Sequence, residues 1–152
     1  MRAEIISIGT EILMGEIVDT NSVYLAAELA KIGITVCWVS KIGDDLTRIQ
    51  NTLEFAIERA DVVITSGGLG PTSDDLTREA IAGVLREKMT VETNLLSHLK
   101  GHFVDGHGKM PSTNIKQATL IPSAVSIPNS IGTAPAWWIQ KAGYVLAALP
   151  GP

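Results

Sequence analysis

Disulfides, runs of basic residues and membrane-length apolar runs are all missing from this sequence. The single cysteine, Cys37, excludes an internal disulfide framework and is typical of a reducing compartment, so we expect a cytoplasmic protein. Cys37 lies among the apolar residues 34–39, where we expect a buried, inert thiol. No run of Lys or Arg stands out and the net charge is −4, which argues against nucleic acid as a partner. No apolar run approaches the ~18 residues that cross a membrane, so we expect no membrane partner either.

The composition is that of a globular protein. Apolar residues make up 45% of the 152 residues and charged residues 18%, which suits a single domain over residues 1–152 with a sizeable core. Residues 144–149 form a strong strand pattern that stops abruptly in Pro150-Gly151-Pro152. Because a strand that enters such a loop usually continues, we expect a chain that ends short of further structure, by a deliberate boundary or a natural truncation.

Strand and helix patterns alternate through the first part of the chain, and a strand pair follows at the end. The predicted strands cover residues 3–8, 34–39, 61–65, 136–140 and 144–149, and the predicted helices cover residues 21–32, 45–60 and 75–87. This order predicts an α/β fold, a three-layer α/β/α arrangement with a mostly parallel sheet and right-handed crossovers, plus a C-terminal hairpin. Ligands of such sheets bind at the carboxyl ends of the strands.

The segment between the third predicted strand and the third predicted helix carries the most chemistry. Gly67, Gly68 and Gly70 let the backbone approach an anion and point N–H groups at it, and the helix start adds partial positive charge. It is neither a Walker A loop, since no Gly-Lys-Ser/Thr follows, nor a dinucleotide fingerprint, since the glycine spacing differs. We predict a phosphate cradle in which Thr72 adds a hydroxyl donor.

Two pairs of adjacent aspartates stand where predicted helices begin. Asp45 is the better helix cap by position, which leaves Asp44 freer to act, and Thr72 with Asp75 resembles a capping box. The remaining carboxylates could share one crevice, because carboxyl ends of parallel strands meet at one edge. We predict that Asp44, Asp74 and Asp75 hold Mg²⁺ or another divalent cation, with Asp44 and Asp75 orienting an attacking water.

The polar loop after the first predicted strand is unusually long for a connection between a strand and a helix. Extra length often signals function, so we expect Thr10, Glu11 and Asn21 to line the same crevice. The alternative is a plain surface loop that ends in a helix cap at Thr20 or Asn21.

A histidine pair lies in a less regular region. His98 and His102 are four residues apart on a predicted short helix, with Asp105 and His107 nearby. Paired histidines at this spacing can bind zinc, but no Glu follows His98 in the general-base position, which favours a solvated polar face. Residues 101–108 contain three glycines and predict a mobile loop.

These motifs together resemble the MoCF-biosynthesis (molybdopterin-binding) fold family, and within it the N-terminal domain of the competence/damage-inducible CinA branch. The matching segments are residues 8–13, 15–21, 43–45, 65–77, 114–118, 128–135 and 149–151. Leu69 separates the branches, because molybdopterin adenylyltransferases usually carry Thr or Ser at that position of the glycine segment. Pro71-Thr72 and Asp19-Thr20-Asn21 also resemble the CinA branch.

The resemblance implies a divalent-metal-dependent ADP-ribose pyrophosphatase acting on a small-molecule nucleotide. It also implies a homo-oligomer, a dimer in this branch, and a further loop near the site with Asn129, Gly132 and Thr133. The separate amide-hydrolysing domain of longer family members has no counterpart in this sequence, so no deamidase is expected. Two alternatives stay open: molybdopterin binding with adenylyl transfer, and a non-catalytic nucleotide-binding or assembly module.

Overall fold

The computed structural model describes residues 1–106 and 108–151, without the side chains of residues 104–106. The strands are β1 (Arg2–Ile8), β2 (Thr35–Ile42), β3 (Val62–Ser66), β4 (Thr90–Val91), β5 (Thr119–Leu120), β6 (Ala124–Ile127), β7 (Ala136–Lys141) and β8 (Tyr144–Leu149). The helices are α1 (Thr10–Leu13), α2 (Thr20–Lys31), α3 (Leu46–Arg59), α4 (Thr77–Leu85) and α5 (Thr93–Gly106), with a 3₁₀ helix at Ser112–Ala118. Each described helix is too short or too polar to span a membrane.

Six strands form one sheet in the order β2-β1-β3-β8-β7-β6. β2, β1, β3 and β8 are parallel, and β7 and β6 continue the sheet through antiparallel pairs. The mostly parallel sheet is therefore confirmed, and so is the C-terminal hairpin. The hairpin joins the main sheet because β8 pairs with β3, which brings the end of the described chain to the central carboxyl edge.

The core lies on both faces of the sheet, as a three-layer arrangement requires. Successive side chains of a strand point to opposite faces. Ile6 and Ile8 of β1 accordingly join the larger cluster with α3 and α4, while Ile5 joins the smaller cluster with Leu29 of α2. Trp137 of β7 is fully buried in the larger cluster.

The expected burial of Cys37 is wrong. Cys37 is exposed because β2 is the outer strand of the sheet, with only β1 beside it. The β1–β2 register also shifts at this point, pairing Ala3 with Val36 and Glu4 with Trp38, so Cys37 is left without a partner residue. A local apolar pattern does not contain this information, because strand order is set by the whole fold.

Two helix predictions also need correction. α4 begins at Thr77 rather than Asp75, and its first cap residue, Leu76, makes no side-chain cap bond.

The glycines at 101 and 106 lie in α5, where a mobile loop was expected. His107 and the side chain of Asp105 lie outside the described residues, so their part in the histidine group is not tested.

Candidate functional site

A cavity of about 940 Å³ opens at the carboxyl edge of the sheet. It lies among the loops that follow β1, β2 and β3, the loop between β6 and β7, and the residues after β8. The predicted site residues that line it are Glu11, Asp44, Gly67, Gly68, Gly70, Thr72, Asp74, Asp75, Asn129, Gly132 and Thr133. Thr10 and Asn21 are absent from the lining, although both bond to strand-end residues beside it.

The glycine loop, residues 67–76, depends on backbone conformations that only glycine adopts easily. Gly67 and Gly68 have φ angles of 107° and 67°. A Cβ atom on Gly67 would collide with the carbonyl oxygen of Ile8, and one on Gly68 would collide with the Thr77 hydroxyl. The loop therefore passes close to β1 and α4 in a path closed to other residues.

Two side chains at the start of α4 donate hydrogen bonds to carbonyl groups of the glycine loop. The Thr77 hydroxyl donates to the Gly67 carbonyl at 2.8 Å, and Nη1 of Arg78 donates to the Leu69 carbonyl at 2.7 Å. The N–H groups of Gly68 and Leu69 have no acceptor among the described residues, and both residues line the cavity. Backbone N–H groups without an acceptor in the described protein are the donors that an anion-binding site needs.

Lys116 of the 3₁₀ helix ties down the second half of the same loop. Its Nζ donates to the carbonyls of Thr72 at 2.9 Å and Asp75 at 2.6 Å, and it pairs with Glu79 at 3.1 Å. The loop is thus fixed to a segment some forty residues further along the chain.

Asp75 shapes the glycine loop with both of its carboxylate oxygens. Oδ1 accepts from the Gly70 N–H at 2.9 Å, and Oδ2 accepts from the Thr72 N–H at 2.8 Å and hydroxyl at 2.6 Å. Burial alone would raise the pKa of Asp75, but these hydrogen bonds outweigh it and hold the pKa below the usual value. The predicted contact between Thr72 and Asp75 is present, but it lies before the helix and does not cap it.

Asp44 joins the loops after β1 and β2. Its Oδ2 accepts from the Thr10 N–H at 2.9 Å and hydroxyl at 2.8 Å, while Oδ1 has no hydrogen-bond partner among the described residues. Asp45 instead caps α3 by accepting from the Arg48 N–H at 2.9 Å. The predicted division of this aspartate pair is therefore confirmed: Asp45 caps the helix and Asp44 faces the cavity.

The cavity lining fits a cation that is coordinated partly by a bound ligand better than a cation coordinated by protein side chains alone. Asp74 is exposed, and within the described residues its one hydrogen-bond contact is a long one of 3.4 Å with the Ser73 hydroxyl. Glu11 is half-buried over Gly9. No group of three or more His, Cys, Asp or Glu side chains within the described residues is placed to hold a metal. One or two carboxylates completed by phosphate oxygens and water is the usual arrangement of Mg²⁺.

A buried polar network supports the strand ends below the cavity. Asp19 caps α2 through the Ser22 N–H at 3.0 Å and accepts from the Ser7 hydroxyl at 2.7 Å. Burial would raise the pKa of Asp19, but these bonds lower it overall. Asn21 donates to the Ser66 hydroxyl at 2.9 Å. Asp19 thus takes the cap position that the alternative reading of this loop gave to Thr20 or Asn21.

The asparagine loop, residues 128–135, forms the opposite wall. Asn129 organises it: Oδ1 accepts from the N–H groups of Ile131 and Gly132 at 3.0 and 3.1 Å, and Nδ2 donates to the Ala134 carbonyl at 3.1 Å. Although the Asn129 side chain bonds within its own loop, Asn129 and Gly132 line the cavity, as predicted.

Arg78 and Gln117 were missed at the sequence level. Arg78 is fully buried, and burial lowers its pKa to about 10, so it stays charged at neutral pH behind the glycine loop. Its Nε and second terminal nitrogen have no partner among the described residues. An arginine in the first turn of a helix ordinarily indicates a solvated side chain, so no local signal marked it. Gln117 lies in a segment that was noted only for its resemblance.

The chain matches known proteins along nearly its whole length. Residues 4–152 match the family MoCF_biosynth, described as a probable molybdopterin binding domain. A CinA-like protein of Deinococcus deserti is 52% identical over 99% of this chain, and a putative competence-damage inducible protein of Halothermothrix orenii is 48% identical over 99%. This chain spans only 38% and 37% of the lengths of these two relatives.

Solved structures match the fold. The crystal structure of CinA from Thermoplasma acidophilum has a TM-score of 0.93 at 32% identity, covering 100% of this chain and 90% of that one. The molybdopterin biosynthesis enzyme MoaB of Thermus thermophilus has a TM-score of 0.62 at 20% identity, covering 99% of this chain and 81% of that one. The second likeness concerns the fold alone.

Proposed function

This chain belongs to the MoCF-biosynthesis family of molybdopterin-binding domains, and we propose that it hydrolyses the phosphoanhydride of a nucleotide sugar such as ADP-ribose with the aid of a divalent cation. The proposed site is the cavity at the carboxyl edge of the sheet. The proposal concerns this chain, which spans about 38% of its relatives' length.

The charge of the cavity lining is the observation that carries this proposal. Gly68 and Leu69 offer backbone N–H groups, whereas Glu11, Asp44 and Asp74 contribute carboxylates. No Lys or Arg lines the cavity in the described part of the chain. Phosphates beside carboxylates repel one another unless a cation lies between them. A phosphoanhydride ligand therefore calls for a divalent cation here.

In the proposed reaction, a water oxygen bonds to one phosphorus atom of the diphosphate while the bridging P–O bond breaks. ADP-ribose and water give AMP and ribose 5-phosphate. The free Oδ1 of Asp44 accepts a proton from the water, and the bridging oxygen leaves on the departing phosphate. The N–H groups of Gly68 and Leu69 stabilise charge on the phosphoryl oxygens. Asp44 and Asp74 would hold the cation, which would supply charge neutralisation and orientation when bound.

Asp44→Asn tests the proposal directly. We expect release of AMP from ADP-ribose and Mg²⁺ to fall about 10²- to 10⁴-fold, the usual contribution of a positioned proton acceptor. Asp45→Asn is the matched control, because asparagine also caps helices and Asp45 does not line the cavity. Equal turnover in both variants would overturn the role of Asp44.

The carboxylates of the glycine loop have separable roles under this proposal. Asp74→Asn should raise the Mg²⁺ concentration that gives half-maximal turnover, since Asp74 is a cation ligand. Asp75→Asn should weaken phosphate binding at every Mg²⁺ concentration, because both Asp75 oxygens are used by the loop. An unchanged Mg²⁺ requirement in Asp74→Asn removes it from the ligand set.

Molybdopterin binding with adenylyl transfer is the second candidate, and the family match and the MoaB-like fold favour it. Leu69, which is buried in the loop, favours phosphoanhydride hydrolysis instead, because adenylyltransferases usually carry Thr or Ser at this position. Calorimetry with molybdopterin and with ADP-ribose, followed by mass spectrometry of products, distinguishes the two. Binding of ADP-ribose without products would instead identify a non-catalytic nucleotide-binding module.

The expected dimer and cytoplasmic location also belong to this proposal. Exposed apolar side chains concentrate around the start of α2, at Met14, Val18, Val23 and Tyr24. Apolar surface of this kind is typical of subunit contacts. Multi-angle light scattering of the purified chain measures the oligomeric state, and a monomer at micromolar concentration would contradict the dimer.

A further inference from the structure

A second cavity of about 250 Å³ lies beside the first. Its walls come from α5 and from the asparagine loop. Four residues line both cavities: Gln117, Asn129, Gly132 and Thr133. The two cavities are therefore adjacent, and a single elongated ligand could extend from one into the other.

The lining of the second cavity is unlike that of the first. Leu95 and Leu99 of α5 and Pro128 of the asparagine loop give it apolar walls. His98 and His102 line it as well, with their ring centroids 5.2 Å apart in an edge-to-face arrangement. No Asp, Glu, Lys or Arg belongs to this lining within the described residues.

Gln117 places a hydrogen-bond donor at the junction of the two cavities. Its side chain is 1% exposed, and Oε1 accepts from Nδ2 of Asn114 at 2.9 Å. Its Nε2 donates to no acceptor among the described residues. Because Gln117 lines both cavities, this N–H can donate to a water molecule or to a bound ligand.

We propose that the second cavity binds the base of a nucleotide whose phosphates occupy the first cavity, an inference that rests on the proposed function. A volume below the ~300–1,000 Å³ of pockets for whole drug-sized ligands fits one ring system rather than a complete nucleotide. Apolar walls with aromatic edges suit a flat heterocycle, which stacks, better than a sugar, which needs a hydrogen-bonding partner for each hydroxyl. The described lining contains no Lys or Arg, which favours a base over a second phosphate group.

Two substitutions on α5 test this assignment. Asn94 is exposed and lines the second cavity, so Asn94→Trp should fill the space without disturbing the core, and His98→Ala should remove one ring. Ser97→Trp is the matched control, because Ser97 is exposed on the same helix and lines neither cavity. AMP, ribose 5-phosphate and inorganic pyrophosphate, each with Mg²⁺, serve as calorimetric probes.

We expect Asn94→Trp and His98→Ala to weaken AMP binding about tenfold, as loss of base stacking does, and to leave pyrophosphate and ribose 5-phosphate unchanged. Ser97→Trp should match the parent protein for all three probes. Unchanged AMP affinity in both cavity variants, with pyrophosphate still bound, would overturn the base site and leave the proposed function standing. Failure of the parent protein to bind either AMP or pyrophosphate would overturn the proposed function itself.

Discussion

The two edges of the central sheet use charged side chains in different ways. At the amino edge, charges pair with charges: Nε and Nη2 of Arg59 donate to the two carboxylate oxygens of the fully buried Glu4, both at 2.8 Å. Ser40 donates to the same carboxylate, and the guanidinium of Arg59 lies 4.6 Å from the ring centroid of Trp38. The hydrogen bonds with Glu4 raise the pKa of Arg59.

At the carboxyl edge, charges bind the backbone instead. Arg78 and Lys116 hold carbonyl groups of the glycine loop, and Asp75 holds its N–H groups. These bonds to the backbone fix the loop, and Lys116 additionally pairs with Glu79. Three groups therefore remain available to a ligand: the N–H groups of Gly68 and Leu69, and Oδ1 of Asp44. Under the proposed function, the amino edge serves stability and the carboxyl edge serves binding.

Arg59→Met should give the largest loss of stability. Glu4 would remain buried with Ser40 as its one side-chain partner in the described part of the chain, and an uncompensated buried carboxylate costs about 3 kcal/mol or more. Urea unfolding at pH 7 measures the change. Glu4→Gln combined with Arg59→Met should recover part of the loss, because the unpaired charge is then removed. Equal stability of Arg59→Met and the parent protein would contradict a structural role for this pair.

Gly67→Ala should destabilise the chain by about 2 kcal/mol, through backbone strain and collision with the Ile8 carbonyl. Gly143→Ala is the matched control: Gly143 has a φ of 99°, close to the 107° of Gly67, but a Cβ there meets nothing within 4 Å. The difference between the two variants in thermal unfolding isolates the collision. Equal losses would mean that backbone strain alone accounts for the effect.

Arg78→Met should change binding more than stability. Methionine removes the bond to the Leu69 carbonyl but also removes two buried nitrogens that have no partner among the described residues, so we expect a shift within about 1 kcal/mol. The glycine loop would lose the bond to the Leu69 carbonyl and the positive charge behind it, so pyrophosphate affinity should fall about fivefold. Calorimetry and urea unfolding on the same variant test both halves. A stability loss as large as that of Arg59→Met would contradict the inference that charges at the carboxyl edge serve binding more than stability.

Sequence patterns predicted the position of the cavity because that position follows from topology. Parallel strands bring their carboxyl ends together, so the segments with Asp44 and Gly67 could be placed in one crevice before any contact was known. The division between Asp44 and Asp45 was also readable, since a helix start needs a cap at a definite position. These conclusions need only local order and a general rule of sheet architecture.

The remaining features depend on contacts between distant segments. Lys116 and Arg78 act on carbonyls of the glycine loop, and neither lies in a pattern that marks such a contact. Asp75 was read as a cap or a metal ligand because the start of α4 could not be fixed to within two residues. The exposure of Cys37 depends on the outer place of β2 in the sheet, which is a property of the complete strand order.

The smallest expected effect is a pH dependence that comes from the carboxyl edge. Asp19 and Asp75 have pKa values below the ordinary 3.8, so each stabilises the fold fully above pH 3.8 and loses that contribution as pH falls through its folded pKa. Asp19→Asn should flatten the decline in unfolding free energy below pH 4, by less than about 1 kcal/mol, because asparagine keeps the helix cap but does not titrate. Urea unfolding at pH 7, 4 and 3 measures the slope. If the variant and the parent lose stability in parallel, the decline comes from other carboxylates, and Asp19 makes no pH-dependent contribution to stability.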